Sequence, residues 1–81
     1  MDVNFFGRLG ETIGRRVAVR VPDGGCSISE LRSMLVEAHP EAEAELVNPA
    51  LRACVEDRIV SEDHRVKEGE EVEFFPPLSG G

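Results

Sequence analysis

Two apolar periodicities share this chain, and their order along it restricts the folds it can reach. Near the amino-terminal end, Val17, Val19 and Val21 alternate with Arg16, Ala18 and Arg20, the two-residue repeat of a strand covered on one face. Asp2 to Phe6 carries the same repeat: Val3 and Phe5 share one face, while Asp2, Asn4 and Phe6 share the other. From Ile28 the spacing turns helical, through Ile28, Leu31, Leu35 and Ala38 with Met34 adjoining. Ser27 and Glu30 stand as S-x-x-E at its start, a capping-box pattern, and Pro40 predicts an end near His39. The two-residue repeat then returns in Leu51, Ala53 and Val55, and again in Val72 and Phe74. With 81 residues there is room for one core.

The connecting pieces agree with that order. Gly7 to Gly14 reads as a short connector with about one helical turn around Leu9 and Ile13. Pro22-Asp23-Gly24-Gly25 and Lys67-Glu68-Gly69-Glu70 carry turn chemistry. Glu41 to Val47 predicts a further short helical turn, acidic and facing solvent, and Ile59-Val60-Ser61 a short apolar piece after a tight turn at Glu56-Asp57-Arg58. Strand, strand, helix, short strands, strand is an α+β arrangement. A mixed sheet is expected, with the helix stripe packed across one face on Val3, Phe5, Val17, Val19, Val72 and Phe74. The order is similar to the ubiquitin-like β-grasp, which implies that the first and last strands lie side by side at the sheet centre.

Composition narrows the function. Charged residues make up 31% and hydrophobic residues 41%, the balance of a globular domain. A formal net charge of −7 repels phosphate backbones, so the expected partners are basic protein surfaces and not nucleic acid. Cys26 and Cys54 stand far apart with no metal-ligand spacing and read as free, partly buried thiols. His39 and His64, with no nucleophile in view, read as surface or capping residues, and Glu41, Glu43 and Glu45 as a solvated face. Gly24-Gly25 lacks a following Lys-Ser/Thr and is a turn, not a phosphate loop. No run approaches the ~18 apolar residues of a membrane span, and Met1-Asp2-Val3-Asn4 shows no secretory pattern, so a cytoplasmic location without a membrane partner is expected. A core this small leaves no room for a buried multi-residue active site, which points to a carrier or binding protein.

Two features carry functional information. Phe74-Phe75-Pro76-Pro77-Leu78-Ser79-Gly80-Gly81 ends a strand at its prolines and continues without sheet-forming residues, which divides the chain into a domain of residues 1–75 and an extended tail of residues 76–81. The six residues from Pro76 reach at most ~20 Å, and a Gly-Gly end fits a narrow channel. Gly81 is the candidate reacting residue, through its carboxyl group. Pro76, Pro77, Leu78, Ser79 and Gly80 form the candidate inserting segment. The other feature is the pair of steps Phe5-Phe6 and Phe74-Phe75, which are all four aromatic residues of the chain. Alternation sends Phe5 and Phe74 to the core and leaves Phe6 and Phe75 on the polar face. Unless the Gly7–Gly14 connector or the Ile59-Val60 segment covers them, they form a docking patch at the root of the tail. Ile59 is a further docking candidate.

The run Glu71-Val72-Glu73-Phe74-Phe75-Pro76-Pro77-Leu78-Ser79-Gly80-Gly81 resembles the end of molybdopterin synthase small subunits, which are ubiquitin-like sulfur carriers. Phe5-Phe6-Gly7-Arg8-Leu9 and Val60-Ser61-Glu62-Asp63-His64 resemble that family's opening and mid-region. Two departures stand out: family members often carry a basic residue near Gly10 and an Asn near Glu56. The resemblance implies that an adenylating, E1-like enzyme uses ATP to activate Gly81, that a sulfur donor acting through a sulfurtransferase converts it to a thiocarboxylate, and that the small subunit binds no cofactor of its own. It implies insertion of the tail into a large synthase subunit, in a complex of two large and two small subunits. There the sulfur builds the dithiolene of molybdopterin from cyclic pyranopterin monophosphate, with catalytic groups supplied by the large subunit. Sulfur delivery for thiamine, cysteine or tRNA thiolation, protein modification through isopeptide bonds, and a pure interaction role are the competing readings.

Overall fold

A computed structural model describes residues 1–76. The chain runs β1 (Asp2–Phe5), α1 (Arg8–Ile13), β2 (Arg16–Ala18), β3 (Cys26–Ser27), α2 (Ile28–Ala38), a 3-10 turn (Pro40–Ala42), α3 (Glu43–Leu46), β4 (Arg52–Val55), β5 (Arg58–Val60), β6 (Arg65–Val66) and β7 (Glu71–Phe75). Five strands form one mixed sheet in the order β2-β1-β7-β4-β5, and β3 and β6 form a separate ribbon. β1 and β7 are parallel neighbours at the centre, with Val3 opposite Val72 and Phe5 opposite Phe74. Parallel neighbours need a long crossover. The chain between them supplies it and carries α2 across one face, where Ile28, Leu31 and Leu35 join Val3, Phe5, Val72 and Phe74 in the core.

The helix start is as the sequence predicts. The Ser27 hydroxyl accepts from the Glu30 N–H at 3.0 Å, and Glu30 Oε1 accepts from the Ser27 N–H at 2.7 Å. The bond from the Ser27 N–H, with the Ser27 hydroxyl beside it, holds the Glu30 carboxyl below its ordinary value.

Three expectations need correction, and one pair of strands was not expected. β2 stops at Ala18 and does not run to Val21. It is an edge strand, and past the Asp2–Ala18 pair the ladder continues only through the reciprocal bonds of Val19 with Met1. Val17 and Val19 are therefore half-buried and pack against the core from its margin. Ala38 is exposed, and the space beyond Leu35 is closed instead by Ala42 and Leu46. These two, four residues apart, give the acidic segment a buried side, so Glu41 to Val47 is not wholly solvent-facing. Finally, β3 and β6 have two residues each, too few to show an alternation in sequence.

The turn from β4 to β5 explains one departure from the family pattern. Glu56 and Asp57 both hold positive φ, 51° and 65°, between the paired residues Val55 and Arg58. A two-residue hairpin loop of this kind favours Asn or Gly, and other residues there cost roughly 1–2 kcal/mol each. An Asn at position 56 would answer a backbone demand.

One charged side chain lies within the core. Arg32, on α2, is 7% exposed. Its Nε and Nη2 donate to the two oxygens of Glu62, both at 2.9 Å. Nη1 donates to the carbonyls of Leu46 at 2.7 Å and Asn48 at 3.3 Å, and Nη2 donates to that of Leu51. The guanidinium carbon stands 5.3 Å from the centre of the Phe74 ring. Arg32 thus ties α2, the chain leading into β4 and the chain following β5 to the base of the central strand.

Candidate functional site: the root of the tail

Strand alternation in a parallel pair decides what surrounds the tail. Phe5 and Phe74 are register partners on the helix side, nearly fully buried, with ring centroids 5.7 Å apart. The Phe6 N–H donates to the Phe74 carbonyl at 3.1 Å, which keeps β1 beside β7 for one residue past its last pair. Phe6 and Phe75 therefore emerge together on the other face. Their rings stack at 4.6 Å and 1° between planes, yet they remain 43% and 37% exposed. Neither the α1 connector nor the β5 segment covers them.

Pro76 follows directly and is exposed. Its ring leans on Gly7: a Cβ added there would lie 2.8 Å from Pro76 Cγ, and Gly7 sits at φ +76°. Gly7 thus admits the first proline of the tail against the start of α1, a role that the sequence reading missed. Only the adjacency of Gly7 to Phe6 in the quoted opening motif pointed to it. Gly10 is similarly confined, because a Cβ there would meet the Phe5 carbonyl oxygen at 2.8 Å. This accounts for the absence of a larger residue at that position. Pro77, Leu78, Ser79, Gly80 and Gly81 lie outside the described residues.

Apart from Ile59 and Cys54, the rest of the open face is polar. Arg16 Nη2 bridges Asp2 at 3.1 Å and Glu71 at 2.9 Å, and Arg52 pairs opposite Phe75. Ile59 is 67% exposed and shares this face through its pairing with Cys54. It stands two strands from β7, on the order of 10 Å away in the sheet, so the structure does not join it to the stacked rings. Cys54 is half-buried and Cys26 buried, both free. Burial, then Glu73 and Asp57, push the Cys54 thiol up, while burial and then Glu30 push up that of Cys26. Neither is poised as a thiolate nucleophile. His39 lies 3.8 Å from Glu41 at the end of α2, and the His64 backbone is tied to Ile28 and Ser61. Among the described residues no cluster of His, Cys, Asp and Glu could hold a metal ion, and no helix is long and apolar enough to cross a membrane. What this geometry can do is lead the chain out at Pro76 beside two exposed, stacked rings.

Comparison with known proteins agrees with that architecture. The model of the ThiS family matches residues 3–81. The chain belongs to the ThiS family. One family relative, the molybdopterin synthase sulfur carrier subunit of Escherichia coli (strain K12), is 33% identical over 81 residues, which cover all of this chain and 99% of the relative. Among solved structures, SAMP1 from Haloferax volcanii superposes with a TM-score of 0.84 at 25% identity, covering 99% of this chain and 97% of the other. A complex of subunits 1 and 2 of the molybdopterin-converting factor from Helicobacter pylori 26695 matches with a TM-score of 0.64 at 20% identity, covering 99% and 96%. These likenesses establish the ubiquitin-like β-grasp expected from the element order.

Proposed function

We propose that this ThiS-family chain is the sulfur-carrying subunit of a molybdopterin synthase, with the Gly81 carboxyl group as its working group. The observation that carries the reading is the exit of the central strand: β7 ends at Phe75, and Pro76 leaves beside the exposed Phe6–Phe75 stack, which supports a docking role at the root of the tail. Full-length similarity to a sulfur carrier subunit of that enzyme supplies the pathway. A free carboxylate is a poor electrophile because its leaving group would be oxide. An E1-like partner uses ATP to make the acyl-adenylate, AMP becomes the leaving group, and a sulfur donor replaces it to give a thiocarboxylate. The sulfur then passes to cyclic pyranopterin monophosphate inside a large subunit, which supplies the substrate-binding and proton-transfer groups. The tail, Pro76 to Gly81, is the inserting arm; Phe6 and Phe75 anchor the complex, and Ile59 adds a separate contact at its margin.

The Phe75→Ala variant tests the docking half. Hot-spot aromatics cost about 2 kcal/mol or more on truncation, so affinity for the large subunit should fall roughly 30-fold. Melting should change little, since the ring is not part of the core. Titration calorimetry with the large subunit decides it, and unchanged affinity contradicts the assignment. The likeness to SAMP1, which a second Haloferax volcanii structure names a small archaeal modifier protein, favours one other reading. In it, the same activated carboxyl is passed to an amine. The two readings share every step up to the acyl-adenylate and separate at the nucleophile.

A further inference from the structure

Nine residues of the chain are lysine or arginine, and Lys67 is the sole lysine among them. A guanidinium stays protonated and does not take up acyl groups, whereas a lysine amine that loses its proton attacks an activated carbonyl. For a chain whose own carboxyl end becomes an acyl-adenylate, Lys67 is the one side-chain amine on offer.

Its position matters as much as its number. Lys67 is exposed and opens the turn to Glu70, where the Glu70 N–H donates to the Lys67 carbonyl at 3.1 Å and the Lys67 N–H to Glu70 Oε1 at 2.8 Å. That turn enters β7 at Glu71, so it lies at the end of the sheet where β7 begins. The Met1 amino nitrogen is held at the same end, 3.0 Å from Glu68 Oε1 and 3.0 Å from the Val19 carbonyl. The tail leaves from the opposite end, where the neighbouring cations are arginines. Arg52 pairs opposite Phe75, and Arg8 follows the glycine that receives Pro76. Glu71 to Pro76 rises ~16 Å, and the five residues after Pro76 span at most ~18 Å. Only a tail doubled straight back along the sheet brings Gly81 to Lys67 of its own copy. Two copies meet without that constraint.

We infer that Lys67 is an acyl-acceptor site for the carboxyl terminus of a second copy, and that the placement of the amines disfavours self-acylation within one copy. The inference rests on the proposed activation of Gly81. The unprotonated Lys67 Nζ attacks the carbonyl carbon of the acyl-adenylate. The C–N bond forms, the C–O bond to adenylate breaks, AMP leaves with the electron pair, and the proton released from nitrogen passes to solvent. The product is two copies joined by an isopeptide bond. A sulfur donor competes for the same carbonyl, so the linkage belongs to conditions in which sulfur is scarce.

The test incubates the full chain with its adenylating partner and MgATP without a sulfur donor, and follows pyrophosphate release as the readout of activation. The expected product is a dimer of twice the monomer mass less one water, stable to thiol reductants, with fragmentation placing the branch on Lys67. Added sulfide suppresses it. Lys67→Arg keeps pyrophosphate release and loses the dimer. Arg52→Lys, which sets an amine beside the tail exit, yields in addition a monomer lighter by one water. Pyrophosphate release without a dimer, a dimer that survives in Lys67→Arg, a wild-type monomer lighter by one water, or an Arg52→Lys chain that gives none overturns the inference. Absence of pyrophosphate release overturns the proposed activation of Gly81, and this site with it.

Discussion

Deleting Gly81 abolishes sulfur transfer and leaves the melting transition where it is in the full chain. The core explains the second half of this expected result, because the last of the described residues in it is Phe74. Reach explains the first half. Removing one residue withdraws the carboxyl carbon by ~3.4 Å, while a misplacement of about 1 Å can already cost a hundredfold in rate. The shortened chain still ends in a glycine, Gly80, so the loss is one of position and not of carboxyl chemistry. A synthase assay with the large subunit and cyclic pyranopterin monophosphate reads it, alongside a thiocarboxylated full-length control. Dithiolene formation by the shortened chain at the control rate contradicts the account.

The Arg32→Met variant loses about 3 kcal/mol of stability. The substitution keeps much of the volume and removes five hydrogen bonds. Breaking a buried ionic cluster costs about 3–5 kcal/mol. The low end applies because Glu62 is about half exposed and recovers water when its partner goes. The carbonyls of Leu46 and Leu51 recover less, and unpaired buried acceptors account for most of the penalty. For a domain of this size that loss lowers the melting temperature by roughly 15 °C. Thermal and urea unfolding measure it, and a shift below about 1 kcal/mol would show that water replaces the guanidinium bonds.

Arg32 also marks where reading the sequence falls short. An arginine between Leu31 and Ser33 on an amphipathic helix looks like part of the solvent face. Its burial depends on three carbonyls and a carboxylate that converge only after folding. The β3–β6 ribbon has the same character, since two-residue strands carry no period. The fit of Gly7 against Pro76 brings together residues nearly seventy positions apart. By contrast, both central strands, the Ser27–Glu30 cap, the end of α2 before Pro40 and the outward placement of Phe6 and Phe75 were legible, because local rules fix them: alternation, capping and the conformational limits of proline. The core positions on β2 were overestimated for a topological reason. Alternation shows which face a valine takes, but not that its strand lies at the edge of the sheet.

The most direct test of the central claim is the intact mass of the chain after reaction with its adenylating partner, ATP and a sulfur donor. Exchange of one carboxyl oxygen for sulfur adds about 16 Da, and fragmentation must place it on Gly81 to separate it from oxidation of Met1, Met34 or a cysteine. The account predicts that gain on Gly81 and its loss once the large subunit and its pterin substrate are added. A chain that remains an unmodified carboxylate while the partner converts a sulfur carrier of established activity contradicts it.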